Sequence, residues 1–176
     1  MQSVELVLRR INASLGRAVA WLMLPMVIGT FVVVVLRYAF GLGWIWMQEA
    51  VMWMHAALFM LAAAYTLGCD GHVRVDVLYA RMSPRRRAWV NALGTLLFLL
   101  PMAGFIAVES FEYVQVSWSI REGSREAGGL PYPFVPLLKT LIPLTAVTLL
   151  LQGVAQLIAS ALELRASAAR EAPPGG

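Results

Sequence analysis

Four stretches of the chain are apolar almost without interruption, and the polar residues are gathered between them. The runs cover about residues 18–36, 50–69, 88–108 and 140–162. A helix rising about 1.5 Å per residue needs about 20 residues to cross about 30 Å of hydrocarbon, and each run is close to that length. The pattern therefore predicts an all-α integral membrane protein: four transmembrane helices in an antiparallel bundle, with a membrane domain over 18–162. The second run shows the logic most clearly. Trp44, Trp46, Gln48 and Glu49 crowd its entrance and Asp70-Gly-His-Val-Arg-Val-Asp76 its exit, leaving an apolar middle. Lipid imposes that division, because backbone groups bond internally while charges and tryptophans stay at the two interfaces.

The connecting segments carry their own signals. In residues 1–17 the apolar positions Val4, Leu8, Ile11 and Leu15 recur at helical spacing among Arg9, Arg10 and Arg17. They predict a short interfacial helix, with a frayed basic N-terminus as the alternative. Gly41 and Gly43 in the short segment 37–46 predict a tight hairpin between the first two spans. Ser83-Pro84 is a helix start, a capping hydroxyl followed by proline at the first helical position.

The third span has no stop at its expected end. Phe111, Val114 and Trp118 continue an apolar stripe beside Glu109, Glu112 and Ser119, so this helix is expected to project outward. Breakers come only at Gly123, Gly128 and Gly129, before a proline-stiffened stretch from Leu130 to Pro136. Pro25, Pro101 and Pro143 lie within the spans. Residues 163–176, rich in Ala, Arg, Pro and Gly, are expected to form a disordered tail.

Composition agrees with the pattern: 60% of the 176 residues are hydrophobic and 14% charged, against about 25% charged in soluble domains. The net charge of +4 does not point to nucleic acid, because the arginines border apolar runs instead of lining one polar face. Membrane lipids are the simpler partner. A single cysteine, Cys69, excludes an internal disulfide and any multi-cysteine metal site. The first run is longer than the apolar core of a signal peptide and no good cleavage site follows, so it is expected to remain as a span.

Ten of the fourteen basic residues fall in the N-terminal segment, in the loop between spans two and three, and in the tail. By the positive-inside rule both termini and that loop are expected in the cytoplasm, with the segment 109–139 facing outward. Arg85, Arg86 and Arg87 oppose the dipole of the helix they begin, and anionic lipid at a cytoplasmic surface would offset that cost.

Candidate chemistry is sparse. No span carries an acidic or basic residue near its centre, which weighs against an autonomous pump or carrier. No nucleophile with a nearby base, nucleotide loop or metal cluster stands out, so no enzyme and no cofactor is expected. His55, inside the second span, reads as a packing or hydrogen-bonding residue, since two-histidine haem ligation needs a second histidine at membrane depth. A haem- or quinone-binding anchor of a redox complex is the competing class. Arg37 and Glu49 sit at the outward ends of adjacent spans and could pair across the hairpin. In His72-Val-Arg-Val-Asp76 the alternation would put His72, Arg74 and Asp76 on one side of an extended segment, or turn its valines toward lipid.

Several of these residues together resemble a family. Trp46-Met-Gln-Glu49, Ala62-Ala-Ala-Tyr65, His72-Val-Arg-Val-Asp76, Pro101, Ser117-Trp-Ser, Gly129-Leu-Pro131 and Lys139, in that order over 37–152, resemble the small membrane subunit of tripartite ATP-independent periplasmic (TRAP) transporters. The resemblance implies a four-helix subunit that pairs with a large multi-span permease and a periplasmic substrate-binding protein in a bacterial inner membrane. It implies that the large subunit moves an organic acid, coupled to sodium, around a scaffold formed by the small one. The Trp-Met-Gln-Glu entry and Ser-Trp outer loop are similar to the branch associated with 2-oxo acids and related carboxylates. Arg37, Trp46, Glu49, His72, Arg74, Asp76, Trp118, Glu122, Glu126, Pro131 and Lys139 are then candidate partner or structural contacts. Glu122, Glu126, Trp118 and the 130–134 stretch are expected to form part of the surface that meets the binding protein, with an ordered lid over the chain's own helices as the alternative reading of this loop.

Overall fold

The computed structural model describes residues 2–69, 79 and 81–171, and among them only helices and their connections occur. Helices α1 (Gln2–Ala20), α2 (Met23–Ala39), α3 (Ile45–Gly68), α4 (Pro84–Gly94), α5 (Leu100–Ser119) and α6 (Phe134–Glu171) follow in order, with a single π-turn at Thr95–Leu99 joining α4 to α5. Four helical stretches, Ser3–Ala39, Ile45–Gly68, Pro84–Ser119 and Phe134–Ala169, are long and apolar enough to cross a membrane.

The break between α1 and α2 has a covalent cause. Pro25 has no N–H to give the Trp21 carbonyl four residues back, and its ring crowds that carbonyl. The Trp21 carbonyl accepts instead from the Leu24 amide at 3.3 Å, and the regular helix is interrupted there. The segment expected to lie on the membrane surface is α1, which packs against α3 and α6. At Gly16 the approach is so close that a Cβ would stand 2.4 Å from Tyr65 Cγ. Asn12 is only 2% exposed, and its Nδ2 donates to Gln152 Oε1 at 3.1 Å and to the Thr148 carbonyl at 3.3 Å.

Helix α6 is the centre of the bundle, in contact with α1, α3, α4 and α5, while α2 packs on α3. At 38 residues and about 1.5 Å per residue it is about 57 Å long and overruns any bilayer. It also overruns the boundary expected at residue 162. Glu163-Leu-Arg-Ala-Ser-Ala-Ala169 is made largely of good helix formers, and the breaking Pro173-Pro174 lies outside the described residues.

The packed faces consist of small residues. Ala146, Gly153, Ser160 and Ser167 recur every seventh position along α6, all buried. Across from them Ala88 and Thr95 keep the same spacing, as do Ala103, Ser110 and Ser117, again all buried. Between Thr95 and Ala103 one extra residue intervenes, and the π-turn absorbs it, turning both halves of this 36-residue span toward α6. Small side chains let helices approach closely where lipid gives no hydrophobic drive for association. The large apolar side chains point the other way: Phe59, Phe98, Phe105 and Phe111 are all more than 60% exposed. That inside-out distribution suits a solvent of hydrocarbon.

Candidate functional site

The outward ends of α3, α5 and α6 meet the segment 120–133, which folds into a fitted cap. Its first step is the end of α5. Arg121 takes a left-handed conformation, φ 50°, the Glu122 amide donates to the Ser117 carbonyl at 3.1 Å and the Arg121 amide to that of Trp118 at 3.3 Å. This is the Schellman arrangement, with arginine where glycine is usual. It folds Glu122 back onto its own helix, where Oε2 accepts from Ser117 Oγ at 2.6 Å and from Lys139 Nζ at 2.5 Å. Lys139 also lies 4.0 Å from the centroid of the Tyr113 ring. The Glu122 and Lys139 side chains are each only 16% exposed, so the pair is well shielded. The bond from Lys139, then that from Ser117, holds the Glu122 carboxyl below the ordinary glutamate range.

A second anchor comes from α3. Glu49 Oε2 accepts the Leu130 amide proton at 2.6 Å, and Glu49 Oε1 accepts from Ser124 Oγ. The Trp46 amide donates to the Gly128 carbonyl at 3.1 Å, and the Ser124 amide to that of Leu130 at 3.0 Å. Gly128 has φ +81°, and a Cβ on Gly129 would come within 2.8 Å of Glu49 Oε1. These two glycines are what let the backbone turn against the carboxylate. Trp118 Nε1 donates to Thr140 Oγ1 at 3.1 Å, and the Trp118 ring meets Tyr132 edge-on at 6.1 Å. Pro131 contributes its carbonyl, which accepts from the Phe134 amide at 3.1 Å and starts α6.

The structure thus brings Trp46, Glu49, Trp118, Glu122, Pro131 and Lys139 into the cap, joins Glu126 to it through its backbone amide, which donates to Ser124 Oγ at 3.2 Å, and leaves Arg37 outside it. Arg37 is exposed and makes no ion pair with Glu49, because the carboxylate is already committed to the cap. Glu122 and the buried Leu130 face inward, which corrects the expectation that both form an open contact surface; the exposed polar groups of the cap are Arg121, Arg125 and Glu126. His72, Arg74 and Asp76 lie outside the described residues. At the opposite end Arg85 and Arg86 are exposed, while Arg87 is half-buried, donating to the Met82 carbonyl at 3.1 Å and lying over the Tyr79 ring at 5.2 Å. His55 stacks on Phe59 with centroids 6.4 Å apart.

Sequence reasoning missed Ser124 and Tyr113, which have no distinctive spacing, and took Ser117 only as part of a motif, without its bond to Glu122. It also missed Asn12 and Gln152, for which a signal existed: Asn12 is the polar member of the Leu8, Ile11, Leu15 stripe, the place where a buried partner is required.

With this geometry in place, comparison with known families is decisive. The family of tripartite ATP-independent periplasmic transporters, DctQ component, matches residues 26–163. The chain belongs to this family. No curated protein and no solved structure matches it. The matched range contains every residue of the outer cap. The family is one of multi-pass membrane transporter components, and the four apolar spans accord with that.

Proposed function

We propose that this chain is the fixed scaffold subunit of a TRAP transporter, holding a large permease subunit while that subunit carries an organic acid inward on a sodium gradient. The observation that carries the reading is the use made of Glu122 and Lys139. These two shielded opposite charges of the outer half are spent on each other at the end of the bundle, and no path through it is lined by them. The working site is then the assembled complex in a bacterial inner membrane, with both termini of this chain cytoplasmic. The substrate is a carboxylate of the 2-oxo acid type. The periplasmic binding protein docks on the outer cap, where Arg121, Arg125 and Glu126 steer encounter and the exposed rings of Tyr132 and Phe134 supply apolar contact. Affinity capture of the tagged chain from its native membrane tests the reading. The expected result is one large multi-span protein retained in equal amount; a chain that comes out alone, or with a visible haem spectrum, contradicts it.

A further inference from the structure

Along α3, Gln48, Met52, His55 and Phe59 follow one another at spacings of four, three and four, so they lie on one face, and all four are exposed. The other sides of the helix are taken. Helix α2 packs on Val51 and Met54, where a Cβ on Gly29 would stand 3.0 and 3.9 Å from their side chains. Helix α1 closes on Tyr65 at Gly16, and the Trp53 ring meets Phe134 of α6 edge-on at 6.0 Å. The open face therefore looks away from the chain's own bundle, into lipid or onto another chain.

An imidazole on that face is out of place in hydrocarbon. His55 lies about 15 Å from the Ile45 end of the helix and about 20 Å from the Gly68 end, near the centre of the bilayer and beyond reach of either interface. Its ring stacks on Phe59 at 6.4 Å, which satisfies neither nitrogen, and it makes no hydrogen bond among the described residues. Other polar side chains of the helices are provided for: Thr30, Thr66 and Thr145 donate to carbonyls of their own helices, and Asn12 donates to Gln152. Polar residues within spans face other helices and bond there. We propose that a span of the large permease subunit packs along this face of α3 and presents a hydrogen-bonding side chain to His55 at mid-bilayer. The inference rests on the scaffold reading and adds to it the surface, the helix and the chemistry of the partner.

Gln48 stands one heptad, about 10 Å, nearer the outer end, and its side-chain amide is likewise without a partner among the described residues. The partner span thus meets polar groups at two levels of one seam, a spacing that suits a shallow crossing of about 20°. A second copy of this chain fits the face less well. A twofold axis along the membrane normal would set His55 against His55, and two imidazoles facing each other share one hydrogen bond, leaving a donor and an acceptor over. A span of different sequence is free of that restriction.

Photo-crosslinking in membranes that hold the full chain with the large permease and the binding protein tests this. The photoreactive p-benzoylphenylalanine in place of Met52 or Phe59 should join this chain to the large permease. His55→Leu leaves the chain's own packing untouched, because the position is exposed, and should lower the permease retained on affinity capture by about threefold to tenfold. His55→Gln, which keeps a donor and an acceptor, should retain more than His55→Leu. Cross-links to a second copy of this chain, or to no protein while the permease is still captured, would overturn this inference and leave the scaffold reading standing. Equal retention by His55→Leu and wild type would do the same. A wild-type chain captured alone would remove both readings.

Discussion

Glu49 on α3 accepts the amide proton of Leu130, 81 positions further along the chain, at 2.6 Å. One carboxylate at the entrance of the second span thereby fixes the course of the loop between the third and fourth. Leu130 is buried, so its N–H has no water to turn to if the acceptor is lost. Glu49→Ala should cost about 2 kcal/mol of stability, the range for a hydrogen bond to a charged group that leaves its donor unpaired. Glu49→Gln should cost less. Thermal unfolding together with hydrogen exchange at the Leu130 amide checks both; unchanged exchange in Glu49→Ala would show that the carboxylate does not hold the loop.

The Glu122–Lys139 pair makes the cap sensitive to acid. Its carboxyl titrates below its ordinary value of about 4.5, so the folded state favours the ionised form. The resulting stability is fully present above the ordinary value and is lost as pH falls through the lower folded one. Trp118 fluorescence should therefore report loosening of the cap on acidification below about pH 4.5. Glu122→Gln should remove that dependence, with a looser cap at all pH values. A wild-type signal flat down to the acid limit of folding would contradict this.

How far the sequence announced this arrangement depends on the kind of signal. The spans were legible because hydrocarbon permits few polar residues, and their absence shows in any window of 20 or so positions. Glu49 and Lys139 were legible because they lie at span ends, Trp118 and Pro131 because they fall in the motifs Ser117-Trp-Ser and Gly129-Leu-Pro131. Their connections were not, since Glu122 and Glu126 look alike until the left-handed turn at Arg121 sends one inward and leaves the other exposed. The extent of α6 was misjudged because alanine and arginine suit a basic tail and a helix equally well. The small-residue repeat of Ala146, Gly153, Ser160 and Ser167 was present in the sequence, but in apolar surroundings it has no contrast.

The π-turn offers a test of packing. Deleting Leu97 would leave Ala88, Thr95, Ala103, Ser110 and Ser117 one heptad apart throughout, so a regular helix could keep both halves on α6. Deleting Ala107 has no such compensation and turns Ser110 and Ser117 away by about 100°. The first variant is expected to remain folded and the second to lose its thermal transition; equal damage from both would mean that the π-turn does not serve register.

The exposed charges of the cap make a kinetic prediction. Reversing Arg125 and Glu126 together leaves the Glu122, Lys139 and Glu49 contacts in place. Uptake at limiting binding protein should slow, more at low salt than at high, with the membrane complex still assembled. Uptake unaltered across binding-protein and salt concentrations would move the docking surface elsewhere.

The central claim is that this chain supports transport without performing it. Proteoliposomes holding the chain alone, the large permease alone, or both, each given the binding protein, a labelled carboxylate and an imposed sodium gradient, test it most directly. Uptake is predicted only where both membrane subunits are present. Uptake by this chain alone, or undiminished uptake by the large permease without it, would contradict the account.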